Sequence, residues 1–175
     1  MLVYILLALV LQSTALLIFG LVMLRIKTPT LQLSSAAVKD LHYEPTSLNV
    51  TVVAEVRLRN MNFGRFKFRG GNTTFLYENA TVGVTGIYDG RVGSREKREM
   101  NVSVKVMAST DRQLSENSMD FSRDVDSGLI KLRSFAKLKG EVRVVKIINR
   151  HTAAVMDCTM ALNLTGQEIQ DLLCE

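Results

Sequence analysis

At 175 residues, with 47% hydrophobic side chains, a net charge of +5 and only two prolines, the chain has the composition of one folded domain plus a short apolar segment. A water-soluble disordered chain is excluded, because disorder requires a poverty of apolar residues. One core fits the length, and no second domain is needed.

Residues Met1 to Leu24 carry no charged side chain and only Tyr4, Gln12, Ser13 and Thr14 as polar breaks. At ~1.5 Å rise per residue such a run crosses a ~30 Å hydrocarbon layer, so residues 1–24 are predicted to form a transmembrane helix. A cleaved signal peptide is the alternative, but the run exceeds its usual apolar core of roughly 7–15 residues and no basic leader precedes it. The missing leader leaves room for residues upstream. Residues 25–30 form an extended linker in which Pro29 biases Thr28 away from helix, and residues 31–175 form the domain.

The first predicted strand is Leu31 to Val38. Ser47 to Arg59 follows as a long strand, with Leu48, Val50, Val52, Ala54, Val56 and Leu58 on one face and Asn49, Thr51, Glu55, Arg57 and Arg59 on the other. Asn60-Met61-Asn62 and Gly64 turn the chain. Phe66 and Phe68 alternate with Lys67 and Arg69, then Thr73 to Tyr77 and Thr81 to Tyr88 read as strands. Asp89-Gly90 marks a tight turn, and Met100 to Met107 is the next strand. The period then lengthens: Thr110 to Gln113 fits a capping box, and Leu114, Phe121, Val125 and Leu129 recur at helical spacing between Asp111 and Gly128. Strands resume at Ile130 to Leu138, Lys139 to Asn149 after Gly140, and Ala154 to Leu164, and Thr165 with Glu168 could cap a last helical turn. Seven or eight strands with one intervening helix predict a mainly β fold, an antiparallel sandwich of immunoglobulin or fibronectin type III architecture. The absence of Trp disfavours a true immunoglobulin domain.

Two signals conflict over which way the domain faces. Arg25 and Lys27 after the apolar run favour a cytosolic domain by the positive-inside rule, and both stand where lipid headgroups lie. Against that stand five N-glycosylation acceptors, at Asn49, Asn72, Asn79, Asn101 and Asn163. Alternation with Val102 and Val104 for Asn101, and with Leu162 and Leu164 for Asn163, turns these side chains outward. The exoplasmic side is therefore expected. In that compartment the only two cysteines, Cys158 and Cys174, can pair across a loop of ~15 residues, worth about 3 kcal/mol in the chain-entropy model. Two reduced thiols are the alternative.

Catalytic groups are scarce. The two histidines, His42 and His151, read as solvated surface residues, and no nucleophile elbow, phosphate-binding loop or zinc spacing is present, so neither an enzyme nor a cofactor is expected. A polar pocket around either histidine would reopen that question. Asp120, Asp124 and Asp126 resemble a calcium loop, but the position that needs a bidentate Glu is Phe135. Basic clusters at Arg57, Arg59, Arg65, Lys67 and Arg69 and at Lys131, Arg133, Lys137 and Lys139 could meet anionic lipid, cell-wall polyanions or nucleic acid. Nucleic acid is disfavoured because no aromatic stacking platform accompanies them.

Several short stretches recur in a known order: Pro29 after the apolar helix, the aliphatic strand running into Asn60-Met61-Asn62, and Gly128 before Leu129-Ile130-Lys131-Leu132. Gly140-Glu141-Val142-Arg143-Val144, Cys158-Thr159-Met160-Ala161-Leu162 and Cys174, almost at the end, follow. In this the chain resembles the plant late embryogenesis abundant group 2 family, also called harpin-induced or WHy-domain proteins, with Met61 where that family has Pro. The resemblance implies a plasma-membrane or endomembrane protein of stress or defence responses, folded as a β-sandwich and without catalytic residues. The leading expectation is an interaction or protective module at the membrane surface, anchored in lipid by its helix and facing an unidentified protein partner. The alternative is a lipid-binding or lipid-transfer module whose aliphatic strand faces and eight methionines line an apolar groove.

Overall fold

The computed structural model of the protein describes residues 1–110, 114, 118–144 and 148–174, apart from the side chains at 22–24, 118 and 148. Among these residues a long helix α1 (Leu2–Leu24) precedes ten strands and a second helix. In chain order these are β1 (Thr30–Glu44), β2 (Ser47–Arg59), β3 (Arg65–Phe68), β4 (Gly71–Tyr77), β5 (Ala80–Ile87), β6 (Gly90–Val92) and β7 (Lys97–Ser109). Then come α2 (Ser118–Ser127), β8 (Leu129–Val144), β9 (Ile148–Asn163) and β10 (Glu168–Cys174). The expected antiparallel, mainly β fold with an apolar N-terminal helix is present.

One sheet runs β1-β2-β7, the other β10-β9-β8-β3-β6. β4 lies beside β3 on the same side of β8, Thr73 to Leu76 pairing with residues 133–136 and Arg65 to Phe68 with residues 140–143, and β5 pairs with β4. β2 pairs along its whole length with β1 and β7, and its six aliphatic side chains are no more than 2% exposed. They share one core with Phe66, Phe75, Leu132, Leu138, Met156 and Met160 of the other sheet. α2 closes one end of it. Phe121 meets the buried Tyr77 ring edge to face at 5.4 Å, and Tyr77 donates a 2.9 Å hydrogen bond to Asp124. The helix stops at Gly128, whose φ of +77° is the left-handed conformation that favours glycine after a last turn.

Four sequence expectations need correction. The first strand does not stop at Val38 but continues to Glu44; only Leu31 and Leu33 of it are fully buried, and two register shifts disturb its alternation, as befits an edge. Gly140 is not a turn: β8 passes through it, because glycine there lets β3 approach, and a Cβ would stand 2.4 Å from the Lys67 carbonyl oxygen and 2.6 Å from the Phe66 ring. The helix, Ser118–Ser127, falls inside the expected interval from Asp111 to Gly128; the expected capping partner Gln113 lies outside the described residues, as do 145–147 of the expected strand to Asn149. The end of the chain is a strand, not a helical turn, because β10 folds back onto β9. Among the described residues the strands number ten rather than seven or eight.

Gly140→Ala is expected to lose about 2–3 kcal/mol of stability, since the Phe66 ring is fully buried and backbone stands on the other side; chemical denaturation of the chain measures it. Burial first, and then the hydrogen bond to Asp124, raise the Tyr77 pKa above its ordinary value near 10. The unfolded phenol therefore ionises first, so this contribution is complete below pH ~10 and is lost as pH climbs past it, at up to ~1.4 kcal/mol per pH unit. Urea midpoints followed from pH 8 to about 11 should fall more steeply for the parent chain than for Tyr77→Phe.

Candidate membrane-proximal surface

α1 has the properties that a lipid environment demands. Its Leu2–Leu21 stretch is apolar and long enough to cross a membrane, and none of it is buried against the rest of the protein. The Ser13 and Thr14 hydroxyls donate to the Val10 carbonyl at 2.9 and 2.7 Å, which leaves neither unbonded in an apolar solvent. At Arg25 the chain turns extended, with φ −67° and ψ 102°.

Three residues beyond the helix the chain is caught by the Asn60-Met61-Asn62 turn. The Asn62 side chain accepts from the Lys27 amide at 2.6 Å and donates to the Lys27 carbonyl at 2.7 Å, a two-point amide pairing across 35 residues of sequence. Asn60 holds Asn62 in place: its Oδ1 accepts from the Asn62 amide and from Asn62 Nδ2, while its Nδ2 donates to the carbonyls of Gly64 and Gly93 at 2.7 Å each. Both asparagines are buried, at 1% and 3% exposure, and both side chains are bonded through oxygen and nitrogen alike. The Asn62 carbonyl takes the Arg95 amide at 3.0 Å, which holds Arg95 at a φ of +55°. Sequence reasoning found the turn but not its role, because the Lys27 partner is a backbone group that leaves no mark on residue type.

Beside this clamp lies an open depression of about 1190 Å³ whose wall carries Arg65, Lys67, Arg91, Arg98 and Arg143 with Asp89, Glu96 and Glu141. A shallower one of about 630 Å³ adjoins it, lined by Lys67, Arg69, Lys137, Lys139, Glu141 and His151. His151 thus does stand in a polar depression. It makes no hydrogen bond among the described residues, and Glu141, directly opposite on β8, contacts Arg143 at 3.4 Å instead, so nothing orients the imidazole as a base. His42 is exposed on β1, away from both. Asp120 pairs with Arg123 and Asp124 with Tyr77, which accounts for two of the three carboxylates of the rejected calcium loop. Among the described residues no three His, Cys, Asp or Glu side chains gather as a metal site.

Of the remaining candidates, Asn49, Asn72, Asn79 and Asn101 are exposed. Asn163 is half-buried and its Oδ1 accepts from the Gly166 amide at 2.8 Å, closing the turn into β10. Cys158 and Cys174 face each other across β9 and β10 and are joined in a disulfide. The Arg133–Asp157 ion pair on the outer face of β8 and β9 holds the Asp157 carboxyl below the usual range. Arg25 and Lys27 are both exposed at the helix end. The aliphatic strand faces lie in the core, and the methionines are scattered: Met156 and Met160 are buried, while Met61, Met107 and Met119 are exposed.

An exposed apolar helix clamped to an antiparallel β domain defines the class. Over 179 aligned positions the chain is 35% identical to the late embryogenesis abundant protein At1g64065 of Arabidopsis thaliana, spanning 99% of this chain and 82% of that protein. The chain belongs to the late embryogenesis abundant family, a family of stress-related proteins. No family model matches it. Among solved structures it is similar to AT1g01470 of Arabidopsis thaliana, at 12% identity and a TM-score of 0.42 over 79% of this chain and 83% of that one. A putative late embryogenesis abundant protein, At2g46140.1, gives 16% identity and a TM-score of 0.38 over 90% and 86%. A protein from Archaeoglobus fulgidus gives 12% and 0.36 over 73% and 94%.

Asn60→Ala strands the buried Gly64 carbonyl, the part-buried Gly93 carbonyl and the Asn62 amide, and is expected to cost about 2–4 kcal/mol. Thermal unfolding checks the magnitude. Protease cutting after Arg25 or Lys27 should accelerate in the same variant, because the linker loses its anchor point.

Proposed function

We propose that this chain is a non-enzymatic, single-pass membrane protein of the group 2, WHy-like branch of its family. In this reading it acts in stress and defence responses as an interaction or protective module at the membrane surface. Residues 1–24 are the anchor, 25–30 the linker and 31–175 the functional domain. The observation that carries the reading is the contrast between α1, none of whose apolar stretch is buried, and a domain whose core is built without it. An all-round apolar helix of that length outside a closed core finds its solvent in hydrocarbon. Recognition rather than turnover suits a surface whose cysteines are bonded to each other and whose histidines lack orienting partners among the described residues.

We assign the domain to the exoplasmic side of the plasma membrane. Four exposed acceptors and a disulfide support that side, since both belong to oxidising, glycosylating compartments. Arg25 and Lys27 favour the opposite topology, and two cations at one end weigh less than those four acceptors and the disulfide together. The partner is a protein rather than nucleic acid.

The test is the electrophoretic mobility of the full-length chain expressed in plant cells, with and without glycosidase and reductant. Deglycosylation should increase mobility, and replacing Asn49, Asn72, Asn79 and Asn101 by Gln should abolish the shift. Unshifted protein whose domain is digested by protease from the cytosolic side would overturn the assignment. Lipid co-purifying in stoichiometric amount with the domain would replace the interaction reading with lipid transfer.

A further inference from the structure

Covalent reach and hydrogen bonding fix what stands beside the end of α1. The helix ends at Leu24 and the Lys27 backbone is bonded to Asn62, so three residues of chain, at most ~11 Å, separate the helix end from the Asn60–Gly64 loop. The polar layer flanking a ~30 Å hydrocarbon core is itself about 5–8 Å deep. Met61 and Phe63, on either side of Asn62, are 38% and 40% exposed, and the Arg95 guanidinium covers the Phe63 ring at 3.9 Å from its centre. Arg95 is the residue held at positive φ by the Asn62 carbonyl, a conformation that costs a residue other than glycine about 1 kcal/mol or more and points to a fixed role for its side chain.

The strand ends around this loop carry an unusual charge arrangement. Arg59 on β2 stands directly opposite Lys97 on β7, and Arg65 on β3 directly opposite Arg143 on β8. Like charges so placed oppose sheet formation. Lys97 leans on Glu99, and Arg143 on Glu141 and Asn149, but Arg59 and Arg65 make no ion pair among the described residues. A layer of anionic groups against this end of the domain relieves both oppositions at once.

We infer that Met61 and Phe63, ringed by Arg59, Arg65 and Arg95, dock into the phospholipid headgroup layer of the bilayer that α1 spans. The apolar tips enter toward the acyl boundary, and the guanidinium groups, whose planar forks suit phosphate oxygens, bond the headgroups. This rests on the proposal that α1 spans a membrane, and it adds that the domain lies against the bilayer through a built surface instead of swinging on a tether.

The experiment uses the full-length chain in phosphatidylcholine–phosphatidylglycerol vesicles doped with a headgroup-nitroxide lipid. One fluorophore is attached through Met61→Cys and, in a second preparation, through Thr46→Cys, an exposed site at the other end of β2, some 40 Å away by strand rise. A parallel pair of chains carries a Gly/Ser insertion of about 20 residues after Arg25, which frees the domain over ~25 Å. Quenching at position 61 should exceed that at position 46 several-fold in both pairs. With the longer linker it should fall to the level of position 46 when Arg65→Glu and Arg95→Glu are added. Equal quenching at the two positions in the long-linker chains, with the protein still resisting carbonate extraction, overturns the docking alone. Release by carbonate overturns the anchor and the docking together.

Discussion

The register of β2 is the constraint from which the rest of the architecture follows. It is the central strand of its sheet, paired on both sides over all its residues, and one face is uninterrupted aliphatic side chain. A slip of one residue would drive Asn49, Glu55 and Arg57 into the core in place of Val50, Val56 and Leu58. Each buried Val or Leu contributes on the order of 1.5–3 kcal/mol, and a buried unpaired charge opposes with more than that, so no neighbouring register competes. A strand fixed so firmly also delivers its last residue to a fixed place. Asn60, the next position, arrives where its amide meets Gly64 and Gly93 and where Asn62 can reach Lys27.

Packing and polar bonding divide the work between the two ends of the molecule. At the end away from the helix the chain relies on apolar contact, α2 lying over β8 and Tyr77 with Phe121 and Val125 buried. At the end near the helix it relies on buried amides, because a segment that must pass from an apolar helix to a β domain brings backbone groups that need partners. The Asn60–Asn62 pair meets that need, and Met61 between them is left free to face outward. The disulfide acts at the opposite sheet edge, where it secures a terminal strand that would otherwise end in a few ladder bonds.

Legibility in the sequence followed the degree of tertiary dependence. β2 was readable to its terminal residues because a strand with one dry face writes a two-residue period into its composition. β1 was not, because its second half is an edge with bulges and only partial burial. Gly140 misled for a related reason: a glycine marks either a turn or a close approach, and only the presence of Phe66 and the Lys67 backbone on the neighbouring strand decides which. β10 was hidden because Ile169 and Leu172 are only partly buried, Leu173 is exposed, and the three do not alternate. Of the candidate surface, the helix and the turn were visible; the clamp, the left-handed Arg95 and the opposed cations exist only in the paired structure.

If α1 anchors the chain as proposed, the bulges of β1 bear on how many copies can share a membrane. Molecules confined to a plane collide far more often than the same number in solution, and an exposed strand edge is a template for joining one sheet to the next. The outer edge of β1 is broken by register shifts between Leu33 and Ser35 and between Val38 and Asp40, and the second of these carries the exposed charges of Lys39 and Asp40. An edge so interrupted cannot present a straight run of free amides and carbonyls to a neighbour. Domains so anchored would crowd a leaflet without their sheets joining through β1.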